Sequence, residues 1–232
     1  MLHEFLESSS MWSVLLTMGA FALGTLINRA TRKAICNPLL LGSLLVIAVL
    51  TLLRIPYADY KASAQPVSWL LLPATVSLAV PLYEKWDLLL KNAKAILAGI
   101  AAGTAVSLGV ITVMAWVMGL DHAQFITLLP KSVTTAISMD VSAELGGIAS
   151  LTGAVVAITG IVGNLSAEAV CKICGITDPM AKGVGIGTAA HAIGTSRALE
   201  MGETEGAMSG LSIAVAGIMT AVVCPLLSGL MG

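Results

Sequence analysis

Charge is scarce in this chain. Only 11% of its residues are Asp, Glu, Lys or Arg, against about 25% in soluble domains. The 12 basic and 13 acidic residues leave a net charge of −1, and no basic patch follows a phosphate backbone, which excludes a nucleic-acid partner. Cysteines number four: Cys36, Cys171, Cys174 and Cys224. Cys171-x-x-Cys174 stands alone, without the two further ligands of a zinc site or a thioredoxin-like βαβ context. No metal is therefore expected. Gly183-x-Gly185-x-Gly187 lacks the Lys-Ser/Thr of a phosphate loop and the preceding strand of a dinucleotide fingerprint. No cofactor is expected. His191 shares one segment with its neighbouring acids and no elbow motif, so no Ser-His-Asp arrangement and no enzyme is read here. The first ten residues, MLHEFLESSS, lack a basic region and do not read as a cleavable signal peptide; the first apolar segment is expected to stay as an anchor.

What fills the space is apolar. The 232 residues are 57% hydrophobic, with 23 glycines and a mean hydropathy of +0.94. A spanning helix needs about 20 apolar residues. Six charge-free stretches reach that length: Ser8–Asn28, Ala34–Leu53, Ala62–Tyr83, Ala95–Leu120, Leu145–Ala167 and Gly206–Gly232. The expected fold is an all-α membrane protein, one integral domain over 1–232, with about six full spans. With the N-terminus outside, nine basic residues fall on inner connections and three on outer ones, as the positive-inside rule favours. Asn37-Pro38 reads as the start of the second helix. Pro73 and Pro81 read as kinks or breaks in the third span. Gly99, Gly103, Gly109, Gly153 and Gly160 read as small faces for close helix packing.

Two polar islands interrupt this pattern: Leu128–Leu145 (LLPKSVTTAISMDVSAEL) and Gly183–Glu205 (GVGIGTAAHAIGTSRALEMGETE). Their apolar cores are too short to span, and segments of that length are more often re-entrant or broken helices. If both islands crossed fully, the basic residues would divide seven against five, so segments that enter and return are preferred. One span separates them, which predicts approach from opposite sides. Ala136-Ile137-Ser138 and Ala192-Ile193-Gly194 match at an offset of 56, and Ala79-Val80-Pro81 lies 57 before the first. An inverted repeat of the secondary-transporter kind is the expected plan.

Polar groups inside a membrane are costly and usually functional. Pro130-Lys131-Ser132-Val133-Thr134-Thr135 brings one cation and three hydroxyls together near a helix start. That combination suits a carboxylate. The alternative is that Lys131 snorkels to the interface and Thr134 and Thr135 bond their own helix. Asp140 and Glu144 share a helix face; Asp140 is a candidate for proton or ion coupling, or else a solvated end. The second island holds His191, and histidine as a residue type titrates near neutral pH and can both donate and accept a hydrogen bond. Thr188, Thr195, Ser196 and Arg197 flank it, and Arg197 can grip a carboxylate in two-pronged fashion. The expected substrate site comprises Lys131, Ser132, Thr134, Thr135, Thr188, His191, Thr195 and Arg197, with Asp140 or His191 carrying a coupled proton.

At these islands the chain resembles a known family. LPKSVTTAISMDVSAELGGIASLT and DPMAKGVGIGTAAHAIGTSRALEMGETEGAMSGL are similar to the LrgB/CidB family of bacterial membrane proteins. The earlier stretches NPLLLGSLL and LLPATVSLAVPLYE fit the same family, so the likeness covers essentially the whole chain. Two residues depart from its pattern: Ala136, where proline is expected, and Ala190, where serine is expected. The resemblance implies antiholin-like control of murein hydrolase export and autolysis, with a small LrgA/CidA-type partner protein. It extends to the plant plastidial glycolate/glycerate translocator, and bacterial relatives have been connected with pyruvate uptake. Concentration of polar residues in two short segments favours transport of small monocarboxylates over a pore. The resemblance also places the protein in the bacterial cell (inner) membrane. A homodimer is expected by analogy with other inverted-repeat transporters.

Overall fold

A computed structural model describes residues 11–31, 36–70, 73, 76–77 and 79–231. All its regular elements are helical, with no strand among the described residues. The chain forms two compact units, Met1–Ser77 and Leu78–Gly232, each taken by itself below.

In the first unit, α1 (Met11–Thr31) and α2 (Pro38–Leu52) lie side by side. Asn37 caps α2, its side chain accepting from Leu39 N at 2.8 Å, and Pro38 occupies the first turn, where its missing N–H costs nothing. Gly24 allows the approach: a Cβ there would stand 2.8 Å from Pro38 O. Short helices α3 (Tyr57–Ser63) and α4 (Gln65–Trp69) follow. Ser63 returns to α1, accepting from Ser13 Oγ at 2.6 Å, and Tyr60 Oη meets Thr17 Oγ1 at 2.7 Å.

The second unit opens with α5 (Ala79–Glu84) and continues with α6 (Trp86–Met118). After α6 come α7 (His122–Leu128), α8 (Thr135–Glu144), α9 (Ala149–Ile173), α10 (Pro179–Met201) and α11 (Glu203–Ser228). Helix α6 has 33 residues, roughly 50 Å of axis. Gly119, at φ 65°, stops it by taking a left-handed turn.

Helix α9 is sorted by size rather than by polarity. Along α9 the buried positions are Thr152, Val156, Gly160, Asn164, Ala167 and Cys171. Its outward positions include Ile158, Val162 and Val170. Helix α6 exposes Val106, Val110, Val113 and Val117 and buries Thr104 among Ile96, Ile100, Leu108 and Ile111. Water would reject that arrangement, whereas lipid accepts large apolar side chains outside and leaves small and polar ones to pack helices together.

Among the described residues four helices, α1, α6, α9 and α11, are long and apolar enough to cross a membrane. The chain is therefore read as a multi-pass membrane protein. The six unbroken spans expected are not all present. The second is a 15-residue helix, about 22 Å long, because Asn37-Pro38 starts it late. Among the described residues the third is divided at Ala64, where α3 has stopped at Ser63 and α4 begins at Gln65. Residues 1–10, 32–35, 71–72, 74–75 and 78 lie outside the described residues, and with them parts of the first three expected spans and of the earliest repeat copy.

Candidate functional site

Both polar islands are interrupted helices. In the first, Asp121 caps α7 through a reciprocal pair: its Oδ1 accepts from Gln124 N at 2.8 Å, and Gln124 Oε1 accepts from Asp121 N at 3.2 Å. The helix ends before Pro130, and α8 starts at Thr135. Ser138 Oγ donates back to Pro130 O at 2.6 Å, holding the connection. The outer ends of this segment meet, His122 Nε2 donating to Leu145 O at 3.2 Å. The segment therefore goes in, turns and comes back. It turns against the middle of α6, where Ser132 Oγ lies 2.8 Å from Ser107 Oγ.

The second island is α10. Asp178 caps it, accepting from Ala181 N. Its helical path is interrupted at Ala190 (φ −133°, ψ 16°) and His191 (φ 41°, ψ −143°). A positive φ on a non-glycine residue is strained backbone. The two halves fold against each other. Gly183 and Leu199 both pack on the first residues of α11, and Gly187 and Thr195 both meet Ser209. The first segment has its ends beside the start of α9, where Thr127 Oγ1 accepts from Ile148 N at 2.8 Å. The second has its ends beside the far end of α9, where Arg197 Nη2 pairs with Glu168 Oε1 at 2.8 Å.

The tips meet along α6. A cavity of about 250 Å³ is lined there by Gly99, Gly103, Ser107, Lys131, Ser132 and Thr188, among others. Lys131 Nζ donates to Ser132 Oγ at 3.2 Å. Thr188 donates to Val184 O at 2.7 Å, which leaves its lone pairs free. Gly103 lets Thr188 lie against α6, since a Cβ would meet Thr188 Cγ2 at 2.9 Å. One ammonium and three hydroxyls thus border one cavity, a set suited to a small anion.

Comparison with known proteins identifies the family. The model of the LrgB-like family matches residues 17–230. This chain belongs to the LrgB-like family. Antiholin-like protein LrgB of Bacillus subtilis (strain 168) is 32% identical over 225 residues, covering 97% of each chain. Antiholin-like protein LrgB of Bacillus mycoides (strain KBAB4) is 32% identical over 222 residues, covering 95% of this chain and 96% of that one. No solved structure matches.

The other residues expected in the site of this LrgB-like chain lie elsewhere, and none lines that cavity. His191 is buried and its Nε2 donates to Val156 O at 3.0 Å. Its ring fills the notch left by Gly160, where a Cβ would be 2.7 Å from Cε1. Thr195 Oγ1 lies 3.0 Å from His191 O and 2.7 Å from Ser209 Oγ. Arg197 is held by Glu168 and by Glu200, the latter at 2.5 Å. Thr134 is the first residue of the turn into α8 and is half-buried, while Thr135 and Asp140 are exposed. Ala190 is buried at the break in α10. Its Cβ is pressed against Gly163 and Gly194.

Sequence reasoning missed Ser107 and Thr104 on α6. Their signal was available: with Thr112 they are the only hydroxyls in the stretch Ala95–Leu120. Gly99 and Gly103 were read as packing positions, and they pack against the second segment rather than against another span.

Proposed function

We propose that this LrgB-like protein transports small monocarboxylates of the glycolate, glycerate, lactate or pyruvate type across the bacterial cell membrane. The observation that carries this reading is the cavity between the two tips, where Lys131 meets the hydroxyls of Ser107, Ser132 and Thr188. Lys131 balances the carboxylate, and the hydroxyls serve a 2-hydroxy or 2-oxo oxygen.

An inverted repeat is part of the proposal. It is supported by capping aspartates at Asp121 and Asp178, 57 residues apart, and by segments whose ends lie at opposite ends of α9. A site fixed between two such segments can face each side in turn as one half rocks against the other. An N-terminus outside is part of the same proposal, and the distribution of basic residues supports it. An LrgA/CidA-like partner protein and a homodimer belong to the proposal, as does proton coupling through Asp140 or His191.

The test is uptake of labelled glycolate and pyruvate into proteoliposomes, with a pH gradient and with an LrgA-like protein added or omitted. Saturable uptake of either acid is expected. No uptake of any 2-hydroxy or 2-oxo acid under all these conditions would overturn the reading.

A second reading, an antiholin-like regulator of murein hydrolase export and autolysis, has the names of the curated relatives behind it. It predicts that deleting the gene changes autolysis even in medium without these acids. Transport predicts a change in autolysis only where the acids are supplied or secreted.

A further inference from the structure

We infer that Thr104 is a specificity-determining residue, which takes the second oxygen of a 2-hydroxy or 2-oxo acid; this rests on the monocarboxylate reading above. Thr104 is 5% exposed, and its Oγ1 has no hydrogen-bond partner among the described residues. That is unusual for this protein. Thr112, Thr188, Thr195 and Ser212 all donate to the carbonyl four residues before them, the ordinary solution for a hydroxyl on a buried helix. Thr104 does not take it. A buried hydroxyl left unsatisfied is costly and calls for an explanation.

The hydroxyl faces a second, much smaller cavity of about 10 Å³. That is close to the least space that holds one water-sized group. Besides Thr104 its lining includes Ser107, Ser132, Thr188 and Thr220. Ser107, Ser132 and Thr188 also line the larger cavity beside Lys131. The partition between the two is therefore made of the same three hydroxyls, closed by the Ser107–Ser132 hydrogen bond of 2.8 Å.

A carboxylate on Lys131 and Ser132 competes for the hydroxyl that closes this partition. An oxygen on the adjacent carbon then lies toward the small cavity, which has room for one such group and an unused partner for it. An unsubstituted acid offers nothing there and leaves Thr104 unpaired. Sites built to bond a substrate oxygen reject the analogue that lacks it far more strongly than sites that merely fit its shape.

The experiment is competition by lactate and by propionate against labelled glycolate in proteoliposomes, for the full chain, Thr104→Val and Thr104→Ser. The wild-type protein is expected to prefer lactate by roughly tenfold or more, the effect of about one good hydrogen bond. Thr104→Val keeps the shape and removes only an unpaired hydroxyl, so the protein should fold, hold propionate as before and lose the preference. Thr104→Ser should keep it. A preference unchanged in Thr104→Val overturns the inference and leaves the transport reading standing. Equal competition by the two acids in the wild type overturns the inference as well. No uptake of any 2-hydroxy or 2-oxo acid by the wild type overturns both.

Discussion

At the break between Leu129 and Thr134, side-chain polar groups face a cavity; at Ala190–His191 they face backbone. Lys131 and Ser132 bond each other and Ser107, all on the cavity rim. His191, Thr195 and Ser196 instead bond Val156 O, His191 O and Ile193 O. Asn164 adds two bonds to the second turn, at 2.8 Å to Ile193 O and 3.1 Å to Ser196 Oγ. A helix interrupted inside a membrane exposes backbone groups that lipid cannot satisfy. The second segment spends its polar residues on that problem. The first has its turn held mainly by Ser138, which donates to Pro130 O and Val133 O, and keeps its cation for something else. Two islands that look alike in composition thus differ at their breaks: the polar side chains of the first border a cavity, and those of the second satisfy backbone.

That division is breakable by substitution. Gly160→Val should have the largest effect, since its Cβ would stand 2.7 Å from His191 Cε1 and 2.9 Å from Ile193 Cβ. A loss of about 3 kcal/mol is expected in detergent unfolding. Gly109→Val, with open space around it, is the control and should be nearly neutral. Equal stability in both would show that the second turn is not tightly packed. Thr195→Ala removes bonds to His191 O and Ser209 Oγ. It should cost about 1–2 kcal/mol of stability and leave substrate affinity as it was; weaker affinity at unchanged stability would move Thr195 into the binding site. Ser132→Ala is the converse. Affinity should fall roughly fivefold, one neutral hydrogen bond, with the unfolding midpoint unmoved. The smallest effect belongs to Arg197→Gln. Its partners Glu168 and Glu200 are 59% and 64% exposed, so less than about 1 kcal/mol is at stake, and it should fade as salt is raised. A salt-independent loss of uptake would give Arg197 a role in the path of the substrate.

Much of this architecture was legible in the chain. Two charge-poor islands too short to span pointed to interrupted helices, and both are interrupted. Four of the six apolar stretches correspond to long helices. Counting apolar residues failed for Ala34–Leu53 and Ala62–Tyr83, because hydropathy is blind to where a chain turns. Asn37-Pro38 delays one helix, and the other is divided at Ala64 and Pro66. The repeat was read at an offset of 56 from Ala-Ile-small. The capping aspartates stand 57 apart, and so do the first residue of α8, Thr135, and Ala192 after the second break. Short matches among small residues slip by one easily, whereas capping residues are fixed by the backbone they serve. Which hydroxyl faces a cavity was not legible. Thr188 and Thr195 are seven residues apart, two turns of an unbroken helix and so one face. The turn at His191 sends one to α6 and the other to α11.

The central claim is that the first break binds and the second holds. It is tested most directly by measuring glycolate affinity and thermal stability together in Lys131→Ala. The account predicts that affinity falls more than roughly tenfold while the unfolding midpoint stays within a degree or two. Wild-type affinity in Lys131→Ala would contradict it.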